Sequence, residues 1–370
     1  MKSYSYRVIR TQPGRFILSV GGIGLCIILM LFLLAAYNGV KIGSLEYISK
    51  NKADLWVMQR NSSNIMRCTS VLFPKHLNVI RNMSGIKSAA PVLLILSSVE
   101  KDGKSATVYL AGYNPDEGIG GPPEIIEGRP ICSDNEIVLD EAFSKKYDYH
   151  IGEWIVIQND TLQITGISRG TNAFVIQYAF VTLSKAQSLV NFPIATCYLL
   201  TVDNKEGLIS AADEIKSRLP DVEVYTHEDF LKNNLKEMQA GFLPFIFTIV
   251  IICAVVLTII LSLILSINIL ERRKDFAIMK ILGTGGGFLT RLVFGQSFLL
   301  TLSGIIVAMK LFYPLILAIE TLTPEITIKS SLLQFLMVLG ISGIISSLSA
   351  LMALHRLRKI YPLEVFYEPA

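Results

Sequence analysis

The stretch that decides the fold of this chain is residues 241–270, which read GFLPFIFTIVIICAVVLTIILSLILSINIL. These 30 residues include no charged side chain. As an α-helix they would measure roughly 45 Å at 1.5 Å per residue, which is more than the ~30 Å of a bilayer core. An apolar run of this length predicts a membrane-spanning helix.

Three further stretches have the length and apolar character of spans. They are residues 16–37, 288–311 and 331–354, which gives one span before a long polar region and three after it. The first could also be read as a secretory signal peptide. Its apolar run is longer than that of a signal peptide and no A-x-A cleavage site follows, which favours a retained anchor.

The overall composition agrees with a polytopic membrane protein. Hydrophobic residues make up 51% of the 370 residues and charged residues 17%, with a net charge of +4. A soluble domain has about 25% charged residues. The composition therefore argues against a disordered chain, a nucleic-acid-binding protein and a single globular enzyme.

The basic residues of the short loops predict the orientation of the spans, because such residues are retained on the cytoplasmic side. The leader 1–15, the loop after the second span and the tail 355–370 have a basic excess, whereas the outer loop 312–330 has none. The basic residues are Lys2, Arg7, Arg10, Arg15, Arg272, Arg273, Lys274, Lys280, Arg291, Arg356, Arg358 and Lys359. Both termini are predicted to be cytoplasmic, and residues 38–240 to lie outside the cytoplasm.

Residues 38–240 have ordinary polarity and predict an α+β domain. The predicted elements are a strand at 54–58, a helix at 74–83, a strand at 92–99, a strand at 197–202, a helix at 208–219 and a strand at 222–225. This β-α-β…β-α-β order predicts a split ferredoxin-like unit. The β-rich insertion between its halves has a hairpin turn at 101–104 and a strand pair at 154–158 and 162–167.

Two further patterns concern the helices. Residues 40–50 and 229–239 could continue the first and second spans as helices that form a stalk of the outside domain. Small residues at four-residue spacing predict close packing between spans. These residues are Gly304, Ala308, Ser342, Ser346 and Ala350.

The reactive side chains outside the membrane give no sign of a catalytic or metal site. Three cysteines (Cys68, Cys132 and Cys197) lie there, so at most one internal disulfide forms; its pairing stays open, as does the alternative of unpaired, buried thiols. The four histidines lack ligand spacing, which argues against zinc. Adjacent acids such as Asp140-Glu141 are expected to serve a helix N-terminus.

The most informative segment follows the second span and reads Glu271-Arg-Arg-Lys-Asp-Phe-Ala-Ile-Met-Lys-Ile-Leu-Gly283. A helix that begins at Arg273 would place Phe276 and Met279 on one side and Ile278 on another. Such a short helix could lie along the cytoplasmic face of the membrane. The simpler interpretation is a basic anchor at the end of a span.

This segment resembles the signature E-R-x-x-[DE]-[FI]-[AG]-x-[ML]-[KR]-x-[LI]-G of the FtsX/MacB-like family of ABC transporter permeases, the type VII or mechanotransmission class. The resemblance covers nearly the whole chain. Residues 7–15 are similar to the family's N-terminal elbow, and residues 128–140 and 151–167 resemble the MacB-like periplasmic core. The tail, Arg356 to Val365, is similar to a terminal R-x-x-P-x-E motif. Residues 22–30 and 54–57 look nearest to the DevC branch.

The resemblance implies a homodimeric permease subunit of the bacterial inner membrane that docks a separate cytoplasmic ABC ATPase through residues 271–287. The implied coupling residues are Glu271, Arg272, Arg273, Asp275, Phe276, Ile278, Met279, Lys280, Leu282 and Gly283. ATP and Mg would be bound by the ATPase, since this chain has no G-x-x-x-x-G-K-[ST] motif and needs no cofactor of its own. A membrane-fusion adaptor and an outer-membrane channel are optional further partners.

The resemblance leaves two functions open. In the first, ATP hydrolysis on the partner moves the outside domain, which exports or extracts a substrate. In the alternative, the chain is an FtsX-like regulator that activates a cell-wall hydrolase and transports no solute. A receptor or a secondary transporter fits poorly, because it predicts charged residues in mid-membrane or internal repeats, and the sequence has neither.

Overall fold

The computed structural model describes residues 13–65, 67–101, 104–158, 160–173, 176–271, 274, 278–279, 281, 286–326 and 328–358. The chain forms two compact units. One comprises Asn38–Leu243 and Ile319–Thr327 and is called the α+β domain here. The other comprises Met1–Tyr37, Pro244–Ala318 and Ile328–Ala370 and is called the helical unit.

The helices and strands follow one another in the order α1 (Pro13–Lys50), β1 (Leu55–Gln59), α2 (Pro74–Arg81), β2 (Ile86–Lys101), β3 (Lys104–Tyr113), β4 (Glu124–Gly128), β5 (Glu136–Asp140), α3 (Glu141–Tyr147), β6 (Trp154–Ile157), β7 (Asp160–Arg169), β8 (Gln177–Thr182), α4 (Leu183–Val190), β9 (Cys197–Val202), α5 (Leu208–Arg218), β10 (Val222–Thr226), α6 (His227–Glu271), α7 (Gly286–Leu322) and α8 (Leu332–Arg358). The long helices α1, α6 and α7 contribute residues to both units.

Half of the α+β domain is the predicted split ferredoxin-like unit. Its four strands are hydrogen-bonded in the order β10-β1-β9-β2, and all three pairings are antiparallel. The apolar residues of α2 and α5, such as Ile80 and Ile215, are fully buried against Leu55 and Val57 of the central strand. Both β-α-β halves were predicted from the sequence, and the structure confirms them.

The β-rich insertion closes into a six-stranded ring. The 16-residue strand β2 pairs with β9 through its first half and with β3 from Leu93 onwards. From there the pairing continues through β8, β5, β7 and β6, and β6 returns to β2. The predicted hairpin β2–β3 is present up to the pair Lys101 and Lys104, and β6 pairs with β7 as predicted. The turn residues Asp102, Gly103 and Asn159 lie outside the described residues.

Strand β8 had no counterpart in the sequence prediction. All six of its residues are buried, because β3 and β5 flank it and both of its faces are covered. A strand buried on both faces lacks the alternation of polar and apolar residues that marks a half-exposed strand.

Gly128, at the end of β4, shows why glycine recurs in this part of the domain. It has a φ of +78°, and a Cβ atom at this position would overlap the carbonyl oxygen of Thr165 on β7. Only glycine combines this backbone conformation with so close an approach of two strands.

The domain ends of α1 and α6 are built into the core of the α+β domain. Tyr47 of α1 stacks on Tyr178 with 4.9 Å between ring centroids, and its hydroxyl donates to the carbonyl oxygen of Gly120 at 2.7 Å. Phe230 of α6 stacks on Trp56 of β1 at 4.5 Å. The helical continuations through 40–50 and 229–239 are therefore present, and their aromatic residues belong to the packed core of this domain.

Among the residues that the structure describes, four helices are long and apolar enough to cross a membrane, as predicted. Helix α6 has 45 residues and measures roughly 68 Å, about twice the thickness of a bilayer core. Helix α7 continues to Leu322, whereas the third span was predicted to end at residue 311. The difference arises because a helix can continue beyond the apolar segment that would lie in the bilayer.

Within the helical unit, small and hydroxyl residues contribute to the contacts between helices. Gly304 of α7 packs against Gly24 and Ile23 of α1, so the predicted close packing at Gly304 is observed. The hydroxyl of Ser297 on α7 donates to the carbonyl oxygen of Ser346 on α8 at 2.8 Å. Such small residues and hydroxyl groups are typical of helix packing in membranes.

Candidate functional site

The predicted coupling segment, residues 271–283, is described only in part. Glu271 ends α6, and Lys274, Ile278, Met279 and Ile281 have helical backbone. The other predicted coupling residues lie outside the described residues. They are Arg272, Arg273, Asp275, Phe276, Lys280, Leu282 and Gly283.

The described side chains of this segment form an exposed stripe. Glu271, Lys274, Ile278 and Ile281 are all exposed, whereas Met279 is half-buried. Their spacing of three, four and three residues places side chains on one face of a helix. Two of them are large and apolar, with 45% of Ile278 and 63% of Ile281 accessible. We call Lys274, Ile278 and Ile281 the coupling stripe.

Ile281 is absent from the predicted set, which placed the apolar contacts at Phe276, Ile278, Met279 and Leu282. The signal that could have identified it is its position three residues after Ile278, on the same face. Ile281 is thus an additional exposed apolar residue of the segment, whereas Phe276 and Leu282 lie outside the described residues.

The connection between α7 and α8 contacts the α+β domain. The Lys146 ammonium group of α3 lies 2.7 Å from Glu325 Oε1, and the side-chain amide of Asn172 donates to the Glu325 carbonyl oxygen at 2.9 Å. Helix α6 begins and helix α7 ends in residues of the α+β domain. The segment 272–285 is therefore at the ends of α6 and α7 that do not belong to that domain.

The motif residues of the β-rich insertion form two polar clusters. Glu136 accepts from Arg129 Nη1 and Nη2 and from the Cys132 backbone N–H, and the Arg129 hydrogen bonds lower the pKa of Glu136 to about 2. Asp140 is buried and caps α3 by accepting from the backbone N–H groups of Ala142 and Phe143. Both clusters stabilise the insertion.

The thiols of the α+β domain are free. Cys132 is exposed, Cys68 is half-buried, and Cys197 is fully buried. Burial raises the pKa of the Cys197 thiol to about 12, so it stays protonated at neutral pH. Within the described part of the chain, no three His, Cys, Asp or Glu side chains converge as metal ligands would.

Two family models match this chain. The family model of the MacB-like periplasmic core domain matches residues 16–218, and that of the FtsX-like permease C-terminal region matches residues 247–362. The first match alone covers more than half of the chain. The chain belongs to the FtsX/MacB-like family of ABC transporter permeases. As a permease subunit it is the non-catalytic, membrane-embedded component of such a system.

Curated relatives of this permease match it over most of their length. Over 281 residues it is 21% identical to uncharacterized ABC transporter permeases of Mycobacterium bovis and Mycobacterium tuberculosis, covering 75% of each chain.

Solved structures similar to this permease are domains of related systems. The periplasmic region of MacB from Actinobacillus actinomycetemcomitans matches 49% of this chain and 92% of its own, at 14% identity and a TM-score of 0.39. The extracellular domain of the transporter YknZ from Gram-positive bacteria matches 47% of this chain and 99% of its own, at 9% identity and a TM-score of 0.37.

Proposed function

We propose that this permease couples ATP hydrolysis by a separate ABC ATPase subunit to movement of its α+β domain, which exports or extracts a substrate. The permease works as a homodimer in the bacterial inner membrane, with both termini and the segment 272–285 in the cytoplasm. ATP and Mg bind to the ATPase. A membrane-fusion adaptor and an outer-membrane channel are further candidate partners.

The observation that carries this proposal is the coupling stripe. Ile278 and Ile281 expose apolar surface next to the charged Lys274, in a segment that follows α6 directly. An apolar ridge with charged neighbours is suited to a groove on a partner protein, where the apolar residues supply affinity and the charges set orientation.

The anchoring of α1 and α6 supports transmission of force. The stacked pairs Tyr47–Tyr178 and Phe230–Trp56 fix the domain ends of both helices in a close-packed core. Packed interiors resist deformation, so a shift of either helix would be passed to the domain as a rigid-body motion. The FtsX-like regulator is not favoured, because the N-terminal match is to the MacB-like core domain.

The test is co-purification of ATPase activity. Tagged full-length permease is isolated in detergent from membranes of its own host cell, and ATP hydrolysis by the eluate is measured. We expect the double variant Ile278→Asp with Ile281→Asp to lose about tenfold or more of the co-eluting activity. Burying an unpaired carboxylate in an apolar interface costs more than the roughly 1.4 kcal/mol that a tenfold change represents.

The matched control is Ile209→Asp, which changes a helical isoleucine of similar exposure in the α+β domain and should retain the activity. Equal ATPase activity in the double variant would contradict the assignment of the coupling stripe. An eluate of the unmodified permease without ATPase activity would contradict the proposed partnership.

A further inference from the structure

Two hydroxyl groups inside the helical unit are buried without a hydrogen-bond partner. They belong to Thr301 of α7 and Ser342 of α8, of which 3% and 0% is accessible. Neither hydroxyl has a partner among the described residues. A buried hydroxyl without a partner is unfavourable, and the interior of a bilayer has no water to replace that partner. This packing of the helices therefore leaves two hydrogen-bonding groups unsatisfied.

Other hydroxyl residues of the helical unit bond to their own helix. Thr258, Ser266 and Ser347 each donate to the backbone carbonyl oxygen four residues earlier. This is the usual arrangement for serine and threonine within a helix. Thr301 and Ser342 make no such bond to the described residues 297 and 338. Their hydroxyls are therefore available for a bond to another helix.

Two contacts between α7 and α8 fix the level at which these hydroxyls lie. The Ser297 hydroxyl is 2.8 Å from the carbonyl oxygen and 2.9 Å from the hydroxyl of Ser346. The rings of Phe312 and Phe335 meet edge to face at 5.7 Å. The two pairs show that α7 and α8 run antiparallel. Both unsatisfied hydroxyls are four residues from the serine pair, in the direction of the phenylalanine pair, so they lie at the same level of the two helices.

Close to this level, α7 is held against α1. Gly304 follows Thr301 by three residues, and a Cβ atom at Gly304 would be 2.5 Å from Ile23 Cγ2 and 3.4 Å from the backbone nitrogen of Gly24. The Ile23 side chain thus occupies the space that a side chain at Gly304 would need. Thr301 and Gly304 are about 60° apart around the helix. A movement of α7 towards α8 at Thr301 would therefore carry Gly304 away from Ile23.

We infer that α7 and α8 have a second packing, in which the Thr301 and Ser342 hydroxyls bond to each other and Gly304 has left Ile23. The observed packing keeps the contact with α1, and the second packing gains a hydrogen bond between α7 and α8. Each packing has a contact that the other lacks, so α7 is an element with two positions.

This inference deepens the proposed function, because α7 ends in the α+β domain and its change of position would move that end. The second packing itself requires no ATPase, and it is measured on the permease alone. It can therefore fail while the ATPase partnership holds, and the partnership can fail while the second packing is present.

The test is disulfide cross-linking of full-length permease in lipid nanodiscs. The pair Thr301→Cys with Ser342→Cys reports on the second packing, because a disulfide needs Cβ atoms within about 4.5 Å of each other. The matched control is Ser297→Cys with Ser346→Cys, which replaces residues already in contact. Mass spectrometry identifies each linked pair, so the native cysteines stay in place. The first pair should link fully but about tenfold more slowly than the control, as expected for a minor state of about 10% or less.

A glycine substitution should shift the balance between the two packings. Gly304→Ala places a Cβ atom against Ile23 and so disfavours the observed packing. It should speed the linking of residues 301 and 342 about threefold or more and leave the control pair unchanged. Gly295→Ala is the control on the same helix, because a Cβ atom there meets nothing within 4 Å, and it should change neither rate.

Two isosteric substitutions test the hydroxyls without any thiol. Thr301→Val removes a hydroxyl that has no partner in the observed packing, so the midpoint of thermal unfolding in detergent should not fall. Ser297→Ala removes a bonded hydroxyl and should lower the midpoint by about 1–3 °C.

Three results would each overturn the inference. Failure of residues 301 and 342 to link while the control pair links would show that α7 does not reach α8 at this level. Equal rates for both pairs, unchanged by Gly304→Ala, would indicate a single packing. A fall in the midpoint for Thr301→Val as large as that for Ser297→Ala would show that the Thr301 hydroxyl already has a partner.

Discussion

At the scale of single residues, Asp140 is a buried acid of the α+β domain whose pKa is raised. Burial raises its pKa from 3.8 to about 6, although three hydrogen bonds, from Thr171 Oγ1 and the N–H groups of Ala142 and Phe143, act in the opposite direction. Desolvation of the carboxylate thus outweighs the hydrogen bonds to it. The sequence predicted an acid that serves a helix N-terminus at this position, and the structure confirms the cap.

The raised pKa predicts a pH dependence of stability that Asp140→Asn removes. The folded state binds the Asp140 proton more tightly than the unfolded state does, so the free energy of unfolding decreases as pH rises from about 4 to 6. Two pKa units correspond to roughly 3 kcal/mol, which is the upper limit of the effect. Asparagine keeps the oxygen that accepts from Ala142 and Phe143, and its amide can donate to Thr171.

The measurement is the thermal unfolding of full-length protein in detergent at pH 4 to 8. The unmodified chain should lose stability relative to Asp140→Asn across this window and run parallel to it above pH 7. Parallel curves over the whole range would show that Asp140 is as solvated in the folded state as in the unfolded one.

At the scale of elements, the crossing of α1 and α7 depends on the absence of a side chain at Gly304. A Cβ atom there would lie 2.5 Å from Ile23 Cγ2, and the branched Ile23 side chain cannot yield by a simple rotation. Gly304→Leu should therefore lower the free energy of unfolding of the helical unit by about 1–3 kcal/mol, as overpacking of a close contact does.

Gly295→Leu is the control for this prediction, because Gly295 lies on the same helix and a Cβ atom there meets nothing within 4 Å. Thermal unfolding in detergent, followed by circular dichroism of the helices, compares the two variants. Equal stability of both would contradict the tight crossing at Gly304.

The helices and strands also show which features of the fold can be predicted from sequence patterns. The four spans and the ferredoxin-like halves followed from apolar runs and local periodicity, because each is set by the residues of one segment. The pairing of β2 with two different strands could not be predicted in this way. Its segments Ile86–Val92 and Leu93–Lys101 have similar local sequence patterns, and they differ only in which distant strand lies beside each of them.

At the scale of the whole molecule, connectivity limits the topologies that are possible. Helix α6 begins in the α+β domain, and α7 ends in it, where Glu325 pairs with Lys146. If each helix crosses the bilayer once, the segment 272–285 must lie on the opposite face from the domain. The basic residues of this segment predict that it lies in the cytoplasm. The coupling stripe and the α+β domain are then predicted to lie on opposite sides of the membrane.

This arrangement predicts that a membrane-impermeant maleimide distinguishes two thiols of the chain. The sample is spheroplasts, in which the reagent reaches the outer surface of the inner membrane. Cys132 is exposed on the α+β domain and should react in intact spheroplasts. Ile278→Cys, on the exposed coupling stripe, should react only after the membrane is permeabilised. Mass spectrometry assigns the label to each site, and the buried Cys197 serves as the thiol that should react in neither condition. Labelling of Ile278→Cys in intact spheroplasts would place the coupling stripe on the same side as the α+β domain. No cytoplasmic ATPase could reach it there, so this result would exclude transmission of force across the bilayer by this chain.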